Sequence, residues 1–217
     1  AGIKLPENGI TEKNGVNRIR IKEMNRDAAK FFHEQLLRTP EAIAYLTERG
    51  LSGAAVKRFG LGFSPDEPHA LYNHMRKLGY NDNELIAGFL CGISKRSGKP
   101  YDYFRGRIIF PVIDTAGAVI AFGGRVTDGS LPKYLNTSDT PAFQKRKNLF
   151  ALNFAKNHCG EGFILCEGYM DVIALHEAGF GQAVATLGTA ITPEQARIMR
   201  RYTDRVLISY DNDSAGQ

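Results

Sequence analysis

At 217 residues, 43% of them hydrophobic, with a formal net charge of +5, the chain is long enough to bury a sizeable core and too apolar to remain disordered. No run approaches the roughly 20 apolar residues needed to span a bilayer, and no secretory signal is visible. Cys91, Cys159 and Cys166 form no CxxC pair, which argues against a disulfide framework or a zinc site and fits a reducing cytosol.

Residues 1–20 are polar, contain Gly and Asn, and read as a linker arm. Over 24–37, Ala28, Phe31, Phe32 and Leu36 recur on one face and predict a helix. Thr39-Pro40-Glu41 opens a second helix that Gly50 can close, and 52–59 and 69–78 give two more short ones. From about 89 to 126 the pattern changes to strands and turns. Ser97-Gly98 and Asp114-Thr115-Ala116-Gly117 read as hairpin turns, and 107–113 and 118–122 as packed antiparallel strands. The aromatic residues of this half read as core.

Positive charge is concentrated here. Ten Lys/Arg and four Asp lie between Lys95 and Lys147, a surplus of six, so the rest of the chain is close to neutral. A localised basic segment suits nucleic acid and nucleotides. Arg125 and Lys133 each lie beside a loop or a backbone-permissive stretch, from which a side chain can reach a phosphate. Lys145-Arg146-Lys147, taken alone, reads as a solvated face.

The last third alternates strand and helix. Phe163-Ile164-Leu165-Cys166 reads as a buried strand ending at Glu167-Gly168-Tyr169-Met170-Asp171, followed by a helix that Gly179 ends. The segment 182–187 is the next strand, Thr192-Pro193-Glu194-Gln195 a capping box with Pro at the first helical position, and 206–210 a third strand that runs into Asp211-Asn212-Asp213. This β-α-β-α-β order implies parallel strands with right-handed crossovers. Open α/β sheets place ligands at the carboxyl ends of such strands. Glu167, Asp211 and Asp213 are therefore expected to converge, and hard oxygen ligands without His or Cys suit Mg²⁺ or Mn²⁺. The five His are scattered, and His176 reads as a packed or surface residue. Gly188-Thr189, at the end of the middle strand, can serve as a phosphate approach or as an ordinary turn.

Glu167-Gly168-Tyr169-Met170-Asp171 followed by Asp211-x-Asp213-x-Ala215-Gly216 resembles the Toprim domain of primases, topoisomerases and some nucleases. Upstream, 101–111, Gly123-Gly124-Arg125 and Pro132-Lys133-Tyr134-Leu135-Asn136-Thr137 resemble, in order, the catalytic core of bacterial DnaG-type primases. Leu46-Thr47-Glu48-Arg49-Gly50-Leu51 and Phe59-Gly60-Leu61-Gly62-Phe63 match the N-terminal part of that core. The resemblance implies an α/β fold in three parts: the arm 1–20, a mixed α+β subdomain over 21–148 with the basic surface, and a Toprim subdomain with parallel strands over 149–217.

The same resemblance implies a DNA-dependent RNA polymerase core that makes short primers. Glu167, Asp211 and Asp213 would be metal ligands and catalytic groups, with Asp171 as an auxiliary acid. Arg125, Lys133 and Asn136 would contact the single-stranded DNA template or the ribonucleoside triphosphate, and Arg105 and Arg107 would shape the same basic surface. The chain starts at Ala1 and stops shortly after Asp213, so it is expected to be a fragment. A zinc-binding module, further polymerase residues and a helicase-binding region would lie outside it. The alternatives are another Toprim enzyme, either nuclease or topoisomerase, and a non-catalytic nucleic-acid-binding module.

Overall fold

The computed structural model describes residues 16–188 and 190–210. The first half runs α1 (Arg18–Leu37), α2 (Pro40–Glu48), α3 (Gly53–Phe59), β1 (Gly62–Ser64), α4 (Ala70–Lys77), α5 (Asp82–Ala87), β2 (Cys91–Ile93) and β3 (Pro100–Asp102). It continues with β4 (Arg107–Ile113), β5 (Val119–Val126) and β6 (Tyr134–Asn136). The second half runs α6 (Leu152–Ala155), β7 (Phe163–Cys166), α7 (Tyr169–Glu177), β8 (Ala183–Ala185), α8 (Pro193–Arg200) and β9 (Val206–Ser209).

One expectation is corrected at the start. Helix α1 begins at Arg18, inside the expected arm, because Asn17 Oδ1 accepts from the Arg20 amide at 2.9 Å. This N-cap bond satisfies one of the orphan donors of the first turn. The polar composition around Asn17 concealed the cap. Residues 1–15 lie outside the described residues.

Strands β1-β4-β5-β6 form an antiparallel sheet, β2-β3 a separate hairpin, and β8-β7-β9 a parallel sheet. Both faces of β4 are buried, and its side chains divide with period two. Ile108, Phe110 and Val112 join one core cluster and Ile109 the other. Strand β5 runs beyond the expected 122 to Val126 and takes Gly123-Gly124-Arg125 into the sheet. Under α1, the rings of Phe32, Phe104 and Phe122 meet edge to face. On the other face, Leu46, Phe59 and Phe110 share a cluster with Phe150, Tyr169 and Ile173, so the two halves of the chain have a common core. Burying each such ring contributes about 1.5–3 kcal/mol.

Two buried polar groups anchor this frame. Helix α4 has no side-chain cap at His69. Asp102 instead accepts from the amides of Leu71 (2.8 Å) and Tyr72 (2.9 Å). Burial pushes its carboxyl up to about 6, against the two amide donors. His176 is packed, not on the surface. Its Nε2 lies 2.9 Å from the Ala183 carbonyl, and Phe59 and Phe154 meet its ring. Burial holds its pKa below the usual value, which keeps the ring neutral.

Candidate functional site

Strand β7 ends at Cys166, and Glu167 follows as an exposed carboxylate before Gly168, the N-cap of α7. Strand β9 lies parallel beside β7 with Cys166 opposite Ser209. This brings Tyr210 near Glu167; burial first, then that carboxylate, raises the phenol pKa. Asp211 and Asp213, expected at the end of β9, lie outside the described residues, as does Thr189. Asp171 has a local partner: its Oδ2 accepts from the Gly168 amide at 3.1 Å, closing the first turn of α7.

Glu167 has no ion-pair partner among the described residues. An exposed carboxylate at the carboxyl edge of a parallel sheet fits a hard divalent cation as one oxygen donor. The neighbouring Cys166 thiol is pushed up to about 12 by burial and stays protonated. Among the described residues no three potential metal ligands gather.

The N-terminal sheet reaches this edge through Asn136 on β6. Its Nδ2 donates to the Leu187 carbonyl at 3.2 Å, and its Oδ1 accepts from the Tyr169 hydroxyl at 2.8 Å. One side chain thus ties the turn after β8 and the first residue of α7 to the antiparallel sheet. Gly188 has φ +80°, and a Cβ there would lie 2.5 Å from Asn136 Nδ2, so both backbone and space require glycine. The Tyr169 ring stacks on Phe110 at 5.0 Å and lies over Gly123, where a Cβ would come within 2.5 Å of it. A Cβ on Gly124 would meet Phe104 at 2.8 Å on the opposite face. The glycine pair makes room for aromatic rings on both sides of β5.

Arg125 is buried. Its Nη1 donates to the Tyr134 hydroxyl at 2.8 Å, and its guanidinium carbon lies 5.4 Å from the Tyr134 ring and 5.9 Å from that of Tyr45. Its Nε has no hydrogen-bond partner among the described residues. Burial raises the Tyr134 pKa and Arg125 opposes this; the Tyr134 ring also lies 6.0 Å from that of Tyr169, the first residue of α7.

The other expected cations separate. Arg107 is buried, and its Nη1 donates to the carbonyls of Pro132 (3.0 Å), Gly124 (3.4 Å) and Lys133 (3.5 Å). It clamps the β5–β6 loop from within and offers little to a ligand. Arg105 and Lys133 are exposed beside it. The assignment of aromatic rings to core holds for Tyr169, with Tyr45 and Tyr134 packed against the same cluster. Sequence reading missed that Tyr45 and Tyr134 also flank Arg125 and that Tyr169 holds Asn136. The glycine pair in an otherwise apolar strand was the available signal, since it marks a close approach.

Similarity to known proteins follows this frame. The family model for the DNA primase catalytic core, N-terminal domain, matches residues 31–156, and the Toprim-like model matches 164–217. The DNA primase of Clostridium acetobutylicum is 46% identical over 206 residues, covering 94% of this chain and 34% of its own length. A solved DnaG primase catalytic domain bound to ssDNA is 36% identical with a TM-score of 0.81, covering 92% of this chain and 65% of that one. The RNA polymerase domain of Mycobacterium tuberculosis primase DnaG is 33% identical with a TM-score of 0.83, covering 92% and 68%. The chain spans about a third of the length of the curated relatives it matches.

Proposed function

From the premise that the chain belongs to the DNA primase catalytic-core family, we propose that it is the centre of a DNA-dependent RNA polymerase making short RNA primers. The observation that carries this reading is the Asn136 link. It fastens the carboxylate edge at Glu167 to the sheet that carries Arg125, Lys133 and Asn136. A polymerase needs both: oxygen ligands for a divalent cation and cations for phosphates.

Glu167, with Asp211 and Asp213, would hold Mg²⁺ or Mn²⁺. The ion, when bound, lowers the pKa of the primer 3′-hydroxyl and stabilises charge on the leaving pyrophosphate. Asp171 holds the helix start that follows Glu167. Lys133 and Arg105 take phosphates of the single-stranded template or the ribonucleotide. Arg125 is as buried as Arg107 and held by Tyr134, so it would act on this surface through its charge rather than by direct contact, while Asn136 and Lys133 meet the ligand. Arg107 acts on the same surface by holding the β5–β6 loop. We assign 21–148 to the template-facing part and 149–217 to the metal-facing part of a cytoplasmic replication enzyme. No described helix is long and apolar enough to cross a membrane.

The test is template-directed synthesis of oligoribonucleotides on single-stranded DNA with Mg²⁺. The wild-type chain should extend weakly and Glu167→Gln not at all. DNA cleavage without synthesis would replace this reading with a nuclease, and metal-independent DNA binding alone would replace it with a binding module.

A further inference from the structure

A second positive surface lies where the two parts meet, between the turn at Lys145–Lys147 and α8. The 3₁₀ turn Lys145–Lys147 is held against the start of α8 by two side-chain bonds to its own carbonyl groups and a third to that of Asn148. The Thr192 hydroxyl donates to Arg146 O at 2.8 Å, and Gln195 Nε2 donates to Lys145 O at 3.1 Å and to Asn148 O at 2.8 Å. Gln195 is fully buried, so the turn is fixed by its backbone while Arg146 and Lys147 remain exposed. Arg146 also reaches Glu194 on α8 at 3.1 Å.

Helical spacing extends this surface. Glu194, Arg197 and Arg201 follow at three and four residues and share one face of the helix and its last turn. Arg197, Arg200, Arg201 and Arg205 are all exposed. With Lys145, Arg146 and Lys147 they make seven cations against three anions, Glu194, Asp204 and Asp139, whose Oδ1 accepts from the Lys145 amide at 2.9 Å. Arg200 is taken up by Asp204 at 3.8 Å, whereas Lys147, Arg197 and Arg201 have no ion-pair partner among the described residues. The rise from 194 to 201 is about 10 Å, enough for the face to meet more than one phosphate of a strand lying along it.

We infer that the turn at Lys147 and the Arg197–Arg201 face of α8 form a second phosphate-contacting surface for single-stranded nucleic acid, separate from that of Arg105 and Lys133. The inference rests on the polymerase reading, which supplies the strand. Contacts from these cations to phosphates grip the backbone without selecting sequence.

The probe is a labelled oligothymidylate of about 20 nucleotides, longer than the ~4–16 of a single small binding domain. Binding to the 217-residue chain is followed by anisotropy from about 0.05 to 0.2 M NaCl. Arg197→Gln with Arg201→Gln removes two charges from exposed positions and keeps good helix formers, so thermal melting should hold. The salt slope should fall by about 1.4, and affinity at about 0.1 M salt roughly 25-fold, at 0.7 per lost contact. Lys147→Ala should subtract about 0.7 more. A change in slope below half of these values overturns the inference. If Lys133→Ala alone lowers the slope, the second surface falls and the polymerase reading stands. If the wild-type chain binds no oligonucleotide, both fall.

Discussion

Gly123→Ala tests the contact that joins the two halves of the chain. The new methyl group would stand 2.5 Å from the Tyr169 ring and 2.6 Å from its hydroxyl. That ring cannot retreat freely: Phe110 stacks on one face at 5.0 Å, and Phe150 meets it edge-on at 4.8 Å. Overpacking at such a site costs about 1–3 kcal/mol. If the ring shifts, the bond to Asn136 breaks and buried polar atoms are left unpaired, about 1–3 kcal/mol more. The expected loss is about 2–6 kcal/mol in urea unfolding, with an unchanged m-value. At about 2–4 °C per kcal/mol for a chain of this size, the melting temperature should drop by roughly 4–24 °C. Gly53→Ala is the control. Nothing lies within 4 Å of a Cβ there, and its helical position predicts a gain of up to about 1 kcal/mol. Combining Gly123→Ala with Tyr169→Leu should show a coupling of at least about 1 kcal/mol, because the smaller side chain relieves the clash. A loss below about 0.5 kcal/mol, or strictly additive variants, would refute the assignment of this glycine to the ring.

Three further outcomes are expected. Glu167→Gln should abolish Mn²⁺ binding in calorimetry while the apo protein melts unchanged, since the side chain is exposed; equal binding removes Glu167 from the ligand set. Lys133→Ala should lower the salt slope of single-stranded DNA binding by about 0.7, and an identical slope returns it to the solvated surface. Asp102 titrates at about 6 in the fold against about 3.9 when unfolded, so its contribution is fully present below pH 4 and is lost as pH rises through 6. Relative to Asp102→Asn, the wild type should gain up to about 3 kcal/mol between pH 7 and pH 4; parallel pH–stability curves would show that burial does not raise this carboxyl.

The parallel unit was legible because its signals are local. Apolar runs stop at acids, Thr192 and Gln195 spell a capping box, and both hairpin turns contain glycine. The start of α1 was missed because one asparagine cap outweighed a polar neighbourhood. The roles of Arg107 and of Gly123-Gly124 depend on partners distant in sequence, Pro132, Tyr169 and Phe104, which no local pattern names. The arginines of α8 were visible as residues but hidden by averaging, since acids elsewhere brought the remainder of the chain to near neutrality.

The shared core also sets an order of events during synthesis. Phe110 and Val112 emerge from the ribosome well before Tyr169, Val172 and Ile173, which cover them in the same cluster. The 63 residues from 110 to 173 take about 3–13 s to make at ~5–20 residues per second. For that interval one face of the nascent antiparallel sheet is covered only in part, by Leu46, Phe59 and their neighbours, and the remainder is open to chaperones and to neighbouring chains. Slowing translation between these points should raise the share of newly made chains recovered with a chaperone, and Gly123→Ala, which hinders the arrival of Tyr169, should raise it further.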